Sequence, residues 1–209
     1  MPRVTEDHKA QRRDQVLTAA WKCFARSGFH GTSMAEIIAE SQLSAGAVYL
    51  YFRSKEDLIA ATASMALGMA RDLIRQLSAG EDPAPPDAVI NRLLDLLIAL
   101  NDDHGGLLFP VAVEAWSEAS RNPSISETAR EFLDNIVEEL GGLYGRWADA
   151  GHALAIPPTD MARMSVAVLQ GTIVQLNGFG QSDEPGYRSA LATLFSGASH
   201  LAEHSGRRA

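Results

Sequence analysis

The sequence predicts an all-α fold, a three-helix head followed by a helical body, about nine helices in all. Three observations predict it. Apolar residues recur at spacings of three and four through nearly the whole chain. The interruptions carry Gly, Pro or a Ser/Thr cap. No segment shows the period of two that a half-buried strand requires, and no internal repeat is present.

The elements follow in order. Residues 11–27 set Val16, Leu17, Ala20, Phe24 and Ala25 on one helical face. Gly28 ends that helix, and Phe29, His30 and Gly31 form a turn. Ser33 with Glu36 makes a capping box that opens a second helix, 34–41. Gln42 and Leu43 form the next turn, and Ser44 caps a third helix, 45–52. Ser54 with Asp57 marks a cap before a long helix, 55–79, carrying Leu58, Ile59, Met65, Met69, Leu73 and Leu77. The Pro-rich stretch 80–86 cannot be helix interior. A Leu- and Ile-rich helix follows at 87–101, then Gly105 and Gly106, then a helix at 108–121 with Phe109, Val113 and Trp116. Asn122 and Pro123 stop it, and Ser124 with Glu127 opens a helix to about 150 that Gly141 and Gly142 bend or split. Pro157 and Pro158 are the next stop, with Thr159 as cap for a helix at 160–180. Residues 165–176 include strand formers, but their length without turn signals argues for helix. A last helix starts near 183–185 and fades near 203, with a disordered tail at 205–209. The domain organisation expected is a head at 1–54 and a body at 55–204.

The chain has 209 residues, 46% apolar and 21% charged, as expected of a globular protein. It contains no apolar run long enough to span a bilayer, and its N-terminus is polar and charged, so the expectation is a cytoplasmic chain. Cys23 is the single cysteine, so no intramolecular disulfide can form; it reads as a small core residue, with a redox sensor as the minor alternative. The net charge of −8 argues against nucleic acid until its distribution is considered. Residues 1–55 hold eight Lys or Arg and five Asp or Glu; the remainder holds ten and twenty-one. A basic head on an acidic body suits DNA contact by the head alone, because phosphate affinity depends on the local field.

Two short helices joined by a tight turn are the outline of a helix-turn-helix, whose second helix enters the major groove. On a helical wheel, Val48 and Phe52 share one face of the third helix, with Ala45 beside them, and dock on Ile37, Ile38 and Ala39. The opposite arc carries Gly46, Ala47, Leu50 and Tyr51, with Tyr49 at its edge. Exposed aromatics on so short a helix call for a partner. Tyrosine can reach phosphate or base edges, Leu50 can meet a thymine methyl, and Gly46 and Ala47 permit close approach. The competing reading of both tyrosines is packing against the long fourth helix. Positions 44–52 contain no Arg, Lys, Asn or Gln, so bidentate base contacts are unavailable there. Sequence preference then rests on methyl contacts, tyrosine, DNA shape and the N-terminal arm with Arg3, Lys9, Arg12 and Arg13.

This stretch resembles the DNA-binding domain of the TetR family of bacterial repressors. The matching signals are Ala-Ala-x-x-x-Phe-Ala-Arg-x-Gly-Phe at 19–29, Gly-Thr-Ser-Met-Ala-Glu-Ile-Ile-Ala at 31–39, Ser-Ala-Gly-Ala-Val-Tyr-x-Tyr-Phe at 44–52 and Ser-Lys-Glu-Asp-Leu at 54–58. The resemblance covers about 11–60, and the length and helical remainder agree with it. It implies a three-helix head and a ligand-binding domain that dimerises through its last two long helices. It further implies phosphate contacts by Thr32, Ser33 and Ser44, groove contacts by Ala45, Gly46, Ala47, Tyr49 and Leu50, and backbone contacts by Tyr51 and Lys55. The family often has a larger polar residue at 45–47 and His in place of Tyr51, so the sequence departs from the pattern where bases are read. The segment 113–119 is similar to the subgroup related to betaine-responsive and multidrug-type repressors.

In the body, Tyr187, Leu191, Leu194 and Ala198 on the last helix and Met164, Val168, Gln175 and Phe179 on the penultimate one form stripes suited to packing two helices against two from a second copy. The alternative is that a stripe faces its own core. An effector pocket between the helices 55–79, 87–101, 108–121 and 124–150 is expected to be lined by Met69, Leu97, Phe109, Trp116, Phe132, Ile136 and Tyr144, which suits a hydrophobic or aromatic ligand and would equally serve as plain core. Glu114 either pairs with a cationic ligand or is solvated. His200 and His204 have a metal-compatible spacing but no third ligand, and no metal or cofactor is expected. No catalytic triad, carboxylate pair or phosphate loop is present, which argues against an enzyme. The expectation is a homodimeric, ligand-responsive transcriptional regulator. Its partners would be a palindromic double-stranded DNA operator and a small-molecule effector, with no membrane. Repression is the leading mode; activation by the same fold and an enzyme on a helical body are the alternatives.

Overall fold

The computed structural model describes residues 6–78, 84–179 and 185–205. Among these, nine helices and no strand are found: α1 (Glu6–Gly31), α2 (Met34–Ser41), α3 (Ala45–Tyr51), α4 (Lys55–Ser78), α5 (Pro86–Asp103), α6 (Leu108–Ala119), α7 (Pro123–Asp149), α8 (Pro158–Phe179) and α9 (Pro185–Ser205). No single helix is long and apolar enough to cross a membrane. Arg3, residues 79–83, 180–184 and the tail at 206–209 lie outside the described residues.

The prolines that interrupt the helical pattern are themselves helix openers, at Pro185 as expected and at three further positions. Pro86, Pro123, Pro158 and Pro185 are the first residues of α5, α7, α8 and α9. At that position the missing N–H is no loss and the fixed φ already suits a helix. Asn122 consequently holds the cap of α7, its side chain accepting from Ile125 N at 3.5 Å, two residues ahead of the expected Ser124. Pro157 precedes α8, with Met161 N donating to its carbonyl at 3.0 Å; Thr159 lies inside the first turn and is exposed. The helix α7 runs unbroken through Gly141 and Gly142.

The chain divides into two compact units. The first takes in residues up to 67 together with 104–128. In it α1 packs against α2, α3 and α6. The inward face of α1 buries Val16, Leu17, Ala20, Trp21, Cys23 and Phe24; Ile37 of α2, Val48 of α3, Phe52 after it, and Leu58 and Ile59 of α4 are buried as well. Burial raises the pKa of the Cys23 thiol, which suits a core residue. Gly28 interrupts α1 with φ 70° and ψ 171°, a backbone shape that only glycine adopts without strain. The short turn after it brings Phe29 edge-on against Phe24, centroids 4.8 Å apart.

The second unit comprises residues 68–103 and 129 onward. There α5 packs against α9 and α8. Its core gathers Ile90, Leu94, Leu140, Tyr144, Met161, Leu191 and Phe195. Ser165 donates to Met161 O at 2.9 Å and so accepts from the Tyr144 hydroxyl at 2.8 Å; burial pushes the Tyr144 pKa up to about 12. The Tyr187 and Thr172 hydroxyls meet at 2.5 Å, and Arg188 pairs with Asp95 between α9 and α5.

Candidate nucleic-acid interface

The capping box at α2 forms as the sequence requires. Ser33 Oγ accepts from Glu36 N at 3.3 Å, and Ser33 N donates to Glu36 Oε2 at 2.7 Å. The Ser33 backbone N–H, and after it the Ser33 hydroxyl, donate to the Glu36 carboxylate and hold it below its ordinary pKa. Chain reversal then occurs at Gln42, which takes left-handed φ 56° and ψ 23° as the C-cap of α2. Ser44 caps α3, its Oγ accepting from Ala47 N at 3.3 Å. Across this turn Gln15 Nε2 donates to Ser41 O at 2.8 Å, tying α1 to the end of α2.

The recognition helix α3 is amphipathic in the expected register. Val48 and Phe52 are buried, whereas Tyr49 is 46% and Leu50 76% exposed. Ala45 and Gly46 are exposed and Ala47 is half-buried, and a Cβ added at Gly46 would meet nothing within 4 Å. Tyr51 is half-buried. Ala45 and Ala39, expected at the buried junction, are exposed; the buried apolar residues of the two helices are Ile37 of α2 and Val48 of α3, and both helices pack on α1.

The phosphate-contact residues carried over from the resemblance divide into distinct cases. Thr32 is buried, and its hydroxyl donates to Gly28 O at 2.8 Å and Cys23 O at 3.1 Å, so its single hydrogen is engaged within the protein. Ser33 is exposed, but its hydroxyl already donates to Glu36 Oε2 at 2.9 Å. Ser44 is exposed and only accepts in its cap, which leaves its hydroxyl hydrogen available to an incoming oxygen. Lys55 Nζ donates to Thr32 O at 3.1 Å and His30 O at 3.5 Å, leaving one of its three N–H groups.

Two carboxylates of α6, four residues apart, hold the end of α1. Glu114 Oε2 accepts from Phe29 N at 3.0 Å, and Glu118 Oε2 accepts from His30 Nε2 at 2.8 Å while Arg121 stands 3.6 Å away. One carboxylate oxygen of the half-buried Glu114 is therefore engaged within the protein. Nothing in the sequence announces these contacts, since the partners lie 85 and 88 residues apart.

The residues expected to line a pocket fall in both units. Phe109 is buried and Trp116 half-buried in the first; in the second, Ile136 and Tyr144 are buried and Met69, Leu97 and Phe132 half-buried. Of the expected dimer-face residues, Met164, Gln175, Phe179 and Leu194 are exposed. Leu191 instead lies in the core of its own unit, with Val168 and Tyr187 packed partly against that core, because the inner stripe of α9 faces α5. The side chains of Ala198, His200 and His204 lie outside the described residues. Among the described residues no group of three or more His, Cys, Asp or Glu is placed to hold a metal.

A capped helix-turn-helix with an outward apolar recognition face, set in an all-helical chain, defines a DNA-binding transcriptional regulator rather than an enzyme. The model of the bacterial regulatory proteins of the tetR family matches residues 16–62. An HTH-type transcriptional regulator of Bacillus subtilis, YfiR, is 31% identical over 75% of this chain and 75% of its own length. The nicotine-responsive repressor HdnoR of Paenarthrobacter nicotinovorans is 26% identical over 88% of this chain and 91% of its own. Among solved structures, Salmonella enterica GusR superposes with a TM-score of 0.75 at 25% identity, covering 95% of this chain and 99% of its own. The chain belongs to the TetR family of helix-turn-helix transcriptional regulators.

Proposed function

We propose that this regulator is a ligand-responsive repressor that binds a palindromic operator as a homodimer and is released by a small hydrophobic or aromatic effector. The domain division proposed is a DNA-binding domain at 1–54 and an effector-binding and dimerisation domain at 55–204, in the cytoplasm. The observation that carries the DNA side is the exposed face of α3, with Tyr49 and Leu50 turned outward from a buried Val48 and Phe52. Groove contacts fall to Ala45, Gly46, Ala47, Tyr49 and Leu50, and backbone contacts to Ser33, Ser44, Tyr51 and Lys55. For the dimer, Phe179 of α8 is 72% and Leu194 of α9 54% exposed, and Met164 and Val174 of α8 are exposed as well. Large apolar side chains left in water on two neighbouring long helices suit a partner face. Two such heads would read half-sites about 34–36 Å apart, one turn of DNA.

An effector site in the second unit would use Met69, Leu97, Phe132, Ile136 and Tyr144. The relative that responds to nicotine supports an aromatic ligand of modest size. Release needs only that the ligand favour the conformation that binds DNA poorly, by about 1–3 kcal/mol of coupling. A thermal-shift screen of small aromatic compounds, followed by operator displacement, tests this. A compound that raises the melting temperature should weaken binding to the upstream duplex by about tenfold. If every stabilising compound leaves operator affinity unchanged, ligand-driven release is wrong.

A further inference from the structure

The recognition helix holds no Lys, Arg, Asn or Gln, so a cation that fixes it against the DNA backbone must come from another element. One is already in position. The guanidinium carbon of Arg13, on α1, stands over the ring of Phe52, 5.2 Å from its centroid. Phe52 is the C-cap of α3, its N–H bonded to Val48 O at 3.0 Å and its ring buried. A cation over an aromatic face gains about 0.5–1 kcal/mol at an exposed site. That contact uses the π face and consumes none of the five N–H donors of the guanidinium.

Three neighbouring cations are engaged by side-chain bonds of their own, and a fourth, Arg53 beside Phe52, is exposed. Arg12 Nη1 donates to Gln15 Oε1 at 3.0 Å, Arg26 Nη2 to Cys23 Sγ at 3.7 Å, and Lys55 to the two carbonyls before α2. Among the described residues Arg13 is exposed and has the ring contact but no carboxylate partner. Its placement is set while its donors remain unused, beside the C-terminal end of the helix that enters the groove.

We propose that Arg13 is a backbone-phosphate anchor for the recognition helix, held in place by the Phe52 ring, and that it fixes the tilt of the C-terminal end of α3 in the groove. The inference rests on DNA binding through α2 and α3. It makes α1, rather than α3 itself, the source of the charge that seats α3, and it gives Phe52 a role on its outer ring face beyond filling the core.

Binding of the full-length chain to a fluorescent random-sequence duplex, measured by anisotropy across a salt series, tests the proposal with Arg13→Ala, Arg13→Lys and, as a control on α7, Arg130→Ala. Arg13→Ala should lower the slope of log affinity against log salt by about one unit. Arg13→Lys should keep the wild-type slope and bind several-fold more weakly, since it retains the charge but not the planar fork over the ring. Arg130→Ala should match wild type. A wild-type slope for Arg13→Ala overturns the proposal. So does an equal loss of affinity in Arg13→Ala and Arg13→Lys that tracks an equal drop in melting temperature, because covering Phe52 would then be the whole role. Failure of the wild-type chain to bind any duplex at low salt would instead remove the DNA-binding reading, and this inference with it.

Discussion

The carboxylate of Glu114 on α6 accepts a hydrogen bond from the backbone N–H of Phe29, 3.0 Å away, at the point where Gly28 breaks α1. A Cβ on residue 28 would stand 3.1 Å from that same oxygen, in a backbone shape already hostile to L side chains. Gly28→Ala should therefore cost about 2–3 kcal/mol, from backbone strain together with the displaced bond. Glu114→Ala should cost about 1–3 kcal/mol, and Glu114→Gln less, because its amide oxygen still accepts. Urea unfolding of the three variants checks the order.

Gln42 presents the opposite case. It holds φ 56° and ψ 23° in the turn between α2 and α3, where a side chain costs about 1–2 kcal/mol relative to the right-handed region. Gln42→Gly should stabilise the chain by about 0.5–1 kcal/mol once the added freedom of the unfolded chain is subtracted. A melting temperature equal to or below wild type would show that the Gln42 side chain compensates by a contact of its own.

Leu50 and Lys55 should separate base preference from backbone affinity. Leu50→Ala removes an exposed side chain, so folding should be unchanged while selection from a randomised duplex pool loses preference at one or two positions. Intact preferences would dismiss the methyl-contact reading. Lys55→Ala should weaken all duplexes alike and reduce the salt slope by about one unit. It should also lower the melting temperature, because the ammonium holds Thr32 O and His30 O.

Stability should change at both ends of the pH scale. The folded pKa of Glu36 is depressed, so its contribution is present above its ordinary 4.5 and is lost as pH falls through the folded value. Glu36→Gln should flatten the acid limb of a melting-temperature profile. The folded pKa of Tyr144 is raised from 10.0 to about 12, so its contribution is present below 10 and is lost as pH rises through that interval. Tyr144→Phe should remove that alkaline loss while leaving a buried Ser165 hydroxyl that still donates to Met161 O.

Phe179 and Leu194 should set the oligomeric state. Charged replacements, Phe179→Glu or Leu194→Glu, fall on exposed positions and should leave the fold intact. They should turn a dimer into a monomer in sedimentation, and weaken operator binding with it. A wild-type chain that sediments as a monomer at micromolar concentration would remove the dimer proposal.

The head was legible in the sequence because its signals are local. Ser33 and Glu36, Ser44, Gly28, and the Val48/Phe52 spacing each act within one helical turn, and each forms the contact its chemistry requires. What could not be read were bonds between residues far apart in the chain: Glu114 to Phe29, Arg13 to Phe52, Lys55 to Thr32. Such contacts leave no periodic trace. Thr32 illustrates that gap, since its hydroxyl hydrogen is engaged at the broken end of α1. Prolines carry two signals at once: a proline excludes helix before itself more strongly than after itself, so Pro123 and Pro158 lie beyond the ends of α6 and α7 and are also the first residues of α7 and α8. In the body, apolar stripes serve core and partner face alike, and only exposure separates Leu194 from Leu191.

The most direct test of the central claim is titration of the purified full-length chain against a labelled duplex from upstream of its own gene, at low and moderate salt, with excess random DNA present. Saturable binding should survive the competitor, fall steeply with salt, and protect two half-sites one helical turn apart. Absence of any complex at low salt, from a chain that is folded by circular dichroism, would mean that the helix-turn-helix does not serve DNA.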